Sequence, residues 1–207
     1  GEGFMLFLGA TRRYKGAPVA IDALRHTATR LVIAGECRDQ EALKARAERA
    51  GVRDRVTFLG RVTEAEKWAL LQRCRALVMP ATLRSEAFGL ALVEAGVAGR
   101  PAITCEIGTG TSVVVQDGQT GLVVPPSESA LLGEAMQRLH TDPALAAALG
   151  KAGYHRYREH FTAATYGARM QRIYDELIGR GGSVSAELPG YSAASTGAVG
   201  HHQGAKP

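Results

Sequence analysis

The chain has 207 residues, a formal net charge of +5 and the apolar and charged content of an ordinary globular domain, so it is long enough to bury a sizeable core in one domain. Its Lys and Arg residues are scattered and do not interleave with aromatics, which argues against a nucleic-acid surface, and no apolar run approaches a membrane span. The excess positive charge fits a polyanionic ligand such as a diphosphate, or simply an Arg-rich composition, and an anionic membrane surface stays open as a peripheral partner.

Phe4-Met-Leu-Phe-Leu8 is a compact apolar run and reads as a strand. Gly16 to His26 reads as a helix. Leu31-Val-Ile-Ala34 is a second strand, followed by the loop Gly35-Glu36-Cys37. Gln40 to Ala50 is an Ala/Arg/Glu-rich helix that stops at Gly51. Arg55-Val-Thr-Phe-Leu59 is a third strand. Thr63-Glu-Ala-Glu66 has the form of an N-cap with acidic first-turn residues and leads a helix through Cys74. Ala76-Leu-Val-Met79 is a buried strand, ended by Pro80 and a polar loop. Gly89 opens an apolar helix that ends near Gly99 and Pro101. Ala102-Ile-Thr104 and Gly121-Leu-Val-Val124 are further strands. Ser127 begins a helix to about His140. Asp142-Pro143 starts an Ala-rich helix to about His160, and Thr162 to Ile178 is the last. Residues 180–207 are rich in Gly, Ser and Ala without periodicity and read as a flexible tail. His201 and His202 within it read as incidental. Strands alternating with helices predict an α/β fold, a doubly wound parallel sheet whose ligands bind at the carboxyl ends of the strands.

The segment Ser85-Glu-Ala-Phe-Gly-Leu-Ala-Leu-Val-Glu94 carries two carboxylates with seven residues between them. Glu86 falls in a strand-to-helix loop and Glu94 inside the helix. If most of the interval is helical, the Cα atoms lie roughly 12 Å apart, about the span from a sugar ring to a ribose across a diphosphate. The N–H groups of a helix start lie between them and favour anions. The spacing alone is common on surface helices. The strings Ser-Glu-Ala-Phe-Gly-Leu and Glu-Ala-Gly-x-Ala-Gly-x-Pro, however, resemble the E-x7-E signature of retaining group 1 glycosyltransferases, which have the GT-B fold. The resemblance implies that Glu86 reaches the donor sugar and Glu94 the nucleotide ribose. It also implies that backbone N–H groups near Phe88, Gly89 and Leu90 meet the diphosphate.

Four other segments join this resemblance. Leu8-Gly-Ala-Thr-Arg-Arg-Tyr-Lys-Gly16 resembles the family's donor-phosphate loop, whose cations stabilise charge growing on a leaving diphosphate. Many members carry Arg where this chain has Ala10. Arg12, three residues before Lys15, is the nearest substitute, and the choice between Arg12 and Arg13 stays open. Phe58-Leu-Gly-Arg-Val62 resembles the loop whose backbone, near Gly60 and Arg61, reads the base. Gly35-Glu36 resembles the family's Gly-Asp/Glu-Gly turn, continued here as Cys37-Arg38. Cys105-Glu-Ile-Gly-Thr-Gly-Thr-Ser112 is a Gly-rich turn that lets N–H groups around Thr109 and Gly110 approach phosphate. Its string is similar to that of bacterial mannosyl- and deoxyhexosyl-transferases that build O-antigen polysaccharide from GDP-sugars.

The resemblance runs from about residue 4 to 179. It implies the nucleotide-sugar-binding, Rossmann-like C-terminal half of a GT-B enzyme, residues 1–179, with the tail at 180–207. The catalytic group would be Glu86, Arg12 and Lys15, and the donor GDP-mannose. A glycan or lipid-linked acceptor would bind an N-terminal domain that this chain lacks, so the chain alone would not turn over. No cofactor or metal is expected, since no Asp-x-Asp pair occurs. The place of action would be the cytoplasm or the inner face of the membrane. Cys37, Cys74 and Cys105 have no metal-ligand spacing and read as reduced thiols. The start at Gly1 reads as a fragment boundary. The rivals are another GT-B enzyme, such as an epimerase or a sucrose- or trehalose-type synthase, and a non-catalytic nucleotide-binding module.

Overall fold

The computed structural model describes residues 3–179, so the tail expected at 180–207, with His201 and His202, lies outside the described residues. Six strands are present: β1 Phe4–Leu8, β2 Arg30–Ala34, β3 Val56–Gly60, β4 Ala76–Met79, β5 Ala102–Cys105 and β6 Gly121–Val124. They form one parallel sheet in the order β3-β2-β1-β4-β5-β6. The helices are α1 Ala17–Ala23, α2 Gln40–Arg49, α3 Glu64–Arg73, α4 Leu90–Val97, α5 Thr111–Val114, α6 Ser129–Thr141, α7 Pro143–His160 and α8 Ala163–Gly179.

The strands are apolar throughout because both faces of the sheet are covered. Side chains alternate across it. Met5 and Phe7 of β1 join Leu31, Ile33, Ala76 and Val78 on one face, under α1, α2 and α6. Leu6 and Leu8 join Ala34, Leu77 and Met79 on the other, against Leu71 of α3 and Leu92 of α4. The buried positions of α6 recur at Leu132, Ala135, Met136 and Leu139, the spacing of a helix with one face in the core.

The doubly wound architecture and the strand positions agree with the reading of the sequence. The differences are local. The helix expected over Gly16–His26 is α1 followed by a 3-10 turn at Leu24–His26, and another 3-10 turn, Arg13–Lys15, precedes it. Arg55 belongs to a 3-10 turn before β3. Ser127 has a φ of 66° and stands outside α6, which starts at Ser129. The chain divides into a compact unit Gly1–Ala168 and a second, Arg169–Pro207, described only through Gly179 at the end of α8. Among the described residues no helix is long and apolar enough to cross a membrane.

Thr63 caps α3 as its sequence foretells. Its Oγ1 accepts from the Glu66 N–H at 3.3 Å, and the Glu66 carboxylate accepts from the Thr63 N–H at 2.7 Å. The bond from the Thr63 N–H, and after it one that the Thr63 hydroxyl donates to the same carboxylate at 2.9 Å, hold the Glu66 carboxyl below its ordinary pKa. Thr63→Ala removes the hydroxyl's half of the box, and the expected loss is about 1 kcal/mol. Urea titration reads it as a lower midpoint with an unchanged slope; an unchanged midpoint would show that the box contributes nothing.

Cys74 and Cys105 are buried, and burial pushes both thiols up to about 12. They are core residues, and Cys37 is half-buried.

Candidate functional site

The chain builds β1, β2 and β3 outward in one direction, then returns to place β4 on the other side of β1. The loops leaving the carboxyl ends of β1 and β4 therefore part company, and a crevice opens at that switch of direction. A cleft of about 620 Å³ lies there, within the usual range for small-molecule sites. Lys15 enters it from the loop after β1, and Glu86 to Leu90 from the loop after β4. Arg61 enters after β3, Lys67 from α3 and Glu94 from α4.

Two loops that start on neighbouring strands are tied to each other. The Thr82 N–H donates to the Tyr14 carbonyl at 2.7 Å. Gly16, with a φ of 79°, lies so close to β4's exit that a Cβ there would stand 1.9 Å from the Pro80 carbonyl oxygen. This contact sets Lys15 opposite Glu86, with Nζ 3.1 Å from Oε2. Nζ lies off the direction a hydrogen bond requires, so Oε2 is a buried acceptor with no hydrogen-bond partner. We read the pair as an ion pair by proximity that leaves this oxygen's hydrogen-bonding capacity unspent. Glu86 is only 8% exposed, and an unsatisfied buried carboxylate oxygen is rare and costly unless a ligand completes it.

Thr109 and Gly110 brace the Glu86 loop. The Thr109 hydroxyl donates to the Glu86 carbonyl at 2.8 Å, and the Gly110 N–H donates to the Ala87 carbonyl at 2.8 Å. The Gly110 N–H is thus committed to the Ala87 carbonyl. The short helix α5, which follows directly, is not apparent in the sequence. Phe88 packs edge-on against Phe161, with ring centroids 5.9 Å apart. Gly89 is the N-cap of α4 with a φ of 82°, and no side chain caps that helix start. Its first N–H groups thus remain available for an anion. Only Leu90 to Glu94 of the interval between the two carboxylates is helical, so the spacing of one continuous helix does not apply.

Glu94 projects from α4 into the cleft and accepts from Lys67 Nζ at 2.7 Å. Lys67 also lies 2.8 Å from Glu64 of its own helix. Burial works against the charge on Lys67, but the hydrogen bonds to Glu64 and Glu94 outweigh it and hold the ammonium above its ordinary pKa. Sequence reasoning missed this lysine. The signal was present: the first turn of a helix that follows a strand sits at the carboxyl end of the sheet, and Lys67 lies four residues after the Thr63 cap.

Arg61 lines the cleft and donates to Glu36 Oε2 at 3.0 Å, while Arg38 donates to Glu36 Oε1 at 3.0 Å. These two hydrogen bonds, Arg38's first, hold the Glu36 carboxyl below its ordinary pKa. The Gly35-Glu36 turn therefore positions the β3 loop; the Gly35 N–H also donates to the Gly60 carbonyl at 2.7 Å. Gly60 itself does not line the cleft. Arg12 does not either. It is the extended residue before the 3-10 turn, exposed, beside a small depression shared with Glu36 and Arg38. Among the described residues, no group of three or more His, Cys, Asp or Glu is placed to hold a metal ion.

A fully parallel sheet of this order, with charged loops converging at its switch point, defines a Rossmann-like domain of the kind that forms half of a GT-B fold. The family model described as "Glycosyl transferases group 1" matches residues 1–156, and the chain belongs to that family. It is 47% identical over 163 residues to the D-rhamnosyltransferase WbpZ of Pseudomonas aeruginosa, covering 79% of this chain and 42% of that protein. It is 40% identical over 178 residues to the O-antigen chain mannosyltransferase C of Escherichia coli, covering 86% of this chain and 48% of that one. The sucrose-phosphate synthase of Thermosynechococcus elongatus superposes with a TM-score of 0.78 at 28% identity, covering 86% of this chain and 46% of its own. The chain thus spans less than half the length of each.

Proposed function

We propose that this chain is the donor-binding half of a retaining glycosyltransferase. The whole enzyme would move a hexosyl group, mannosyl from GDP-mannose, to a glycan or lipid-linked acceptor held by an N-terminal domain. The observation that carries this reading is the buried, unsatisfied Oε2 of Glu86 beside Lys15, at the switch point of the sheet. A sugar hydroxyl supplies the donor that this oxygen needs. A diphosphate supplies the anion that Lys15 and the uncapped start of α4 favour, near Phe88, Gly89 and Leu90. Glu94 then faces the ribose. Similarity to a rhamnosyltransferase and an O-antigen mannosyltransferase supports the hexosyl and polysaccharide parts of the reading.

In this reaction the bond from the sugar C1 to the diphosphate oxygen breaks, and a bond from C1 to an acceptor oxygen forms on the same face. The acceptor's proton passes to the leaving phosphate, so Glu86 need not act as a base. Lys15 and the α4 N–H groups offset the charge that grows on the leaving group. Similarity to a sucrose-phosphate synthase keeps a sucrose-type synthase as the second reading, and product analysis of the full-length enzyme separates the two.

Competition against a fluorescent GDP tests the donor. GDP is expected to displace it at lower concentration than UDP, and a chelator to leave the affinity unchanged. Tighter UDP binding would overturn the guanine preference alone. A requirement for magnesium or manganese would overturn the role given to Lys15 and the helix start. Failure of every nucleoside diphosphate to bind would overturn the donor-binding reading itself.

A further inference from the structure

We propose that Lys67 is a positioning residue whose ammonium holds the Glu94 carboxylate in place for the vicinal diol of the donor's ribose. This rests on the donor-binding reading above and adds to it a residue on a third element of the fold.

Glutamate has three side-chain torsions, and a cleft-lining glutamate left to itself distributes among many rotamers. A ligand that uses it must then bear the ordering cost. Glu94 does not sit alone. Lys67 Nζ is 2.7 Å from its Oε1, and the Lys67 side chain is only 16% exposed, against 28% for Glu94. The other partner of Lys67, Glu64, is 80% exposed. Its carboxylate is well solvated and binds the ammonium less firmly than the half-buried Glu94 does.

The lysine's own placement is fixed from below. Its N–H donates to the Thr63 carbonyl at 2.9 Å, so its backbone belongs to the first turn of α3, which the Thr63–Glu66 box locks. A rigid helix start thus presents a cation to a carboxylate on α4, across the cleft wall. An ionised carboxylate offers about four acceptor sites. Lys67 takes one on Oε1, leaving enough for two hydroxyls of one diol. The ammonium also offsets part of the charge on Glu94, which reduces its repulsion of a nearby diphosphate.

A diol that is present or absent tests this. Calorimetric titration of the 207-residue chain with GDP and with 2′,3′-dideoxy-GDP is expected to show about tenfold tighter binding of GDP, the scale of a charge-assisted hydrogen bond. Lys67→Met keeps the aliphatic stem and removes the charge. It is expected to bring GDP down to the level of the dideoxy compound while leaving the latter near its wild-type affinity. Lys67→Arg keeps a cation and is expected to retain most of the preference. Lys67→Gln gives the same reading as the methionine should that variant fold poorly.

Equal weakening of both ligands by Lys67→Met would overturn the proposal, because the ammonium would then meet phosphate or base directly. No change in either would overturn it too. A wild-type chain that binds both ligands equally would remove the ribose role of Glu94 and with it that of Lys67. A wild-type chain that binds neither would instead overturn the donor-binding reading.

Discussion

Gly16→Ala is expected to cost at least about 4 kcal/mol, in the range reserved for backbone clashes and core damage. Two effects add. The φ of 79° places Gly16 in the left-handed region, where an alanine costs about 1–2 kcal/mol. The larger effect is steric. The new Cβ would stand 1.9 Å from the Pro80 carbonyl oxygen and 2.8 Å from its carbon. Those are main-chain atoms at the exit of β4 and cannot swing aside as a side-chain tip does. Gly51 provides the control: its φ is 68°, yet a Cβ there meets nothing within 4 Å. Gly51→Ala therefore carries the conformational cost alone. Denaturant titration of the two variants separates the effects, and equal losses would show that the Gly16–Pro80 contact does not resist.

Lys15→Ala is expected to weaken GDP binding by about 2–4 kcal/mol, some thirtyfold or more. The substitution removes a cation that lines the crevice beside Glu86. It also leaves Glu86, 8% exposed, as a buried carboxylate with its charge uncompensated and facing an incoming anion. The second effect makes a distinctive prediction. In the double variant Lys15→Ala/Glu86→Gln the repulsion is gone, so part of the affinity for GDP returns, and the two substitutions fail to add. Glu86→Gln alone is expected to leave GDP binding nearly unchanged and to weaken GDP-mannose, since only the latter brings sugar hydroxyls to Oε2. Calorimetry on the four proteins measures the cycle. A Lys15→Ala variant with wild-type affinity would remove Lys15 from the diphosphate site.

Much of the fold was legible because each strand is a short apolar run bounded by Gly, Pro or polar residues, and each long helix has a cap or a periodic face. Gly121–Val124, the Thr63 cap and the Asp142-Pro143 start were all readable in this way. What escaped was what local pattern does not encode. Thr111–Val114 is one turn of β-branched and hydroxylated residues, without length enough to show a helical period. The helix expected over Gly16–His26 ends in a tighter turn at Leu24–His26, and a second tight turn, Arg13–Lys15, hands Lys15 to the crevice before α1 begins. In the site, closeness along the chain does not track closeness in the fold. Arg12 is three residues from Lys15 yet lies beside a different depression, while Lys67, twenty-seven residues before Glu94, touches it. A cross-element pair of that kind is set by how α3 and α4 pack on one face of the sheet, and no window of sequence contains it.

The brace between the loops after β1 and β4 joins Tyr14 to Thr82 and Gly16 to Pro80, chiefly through main-chain atoms. Main-chain atoms are common to every residue, so the brace places little demand on the side chains it carries. Arg12, Arg13, Leu83 and Arg84 are all exposed on these same loops. They are free to be exchanged, one by one, without altering the distance between Lys15 and Glu86. A lineage that kept the glycine at position 16 could therefore revise the outer surface of both loops while inheriting the charge pair intact.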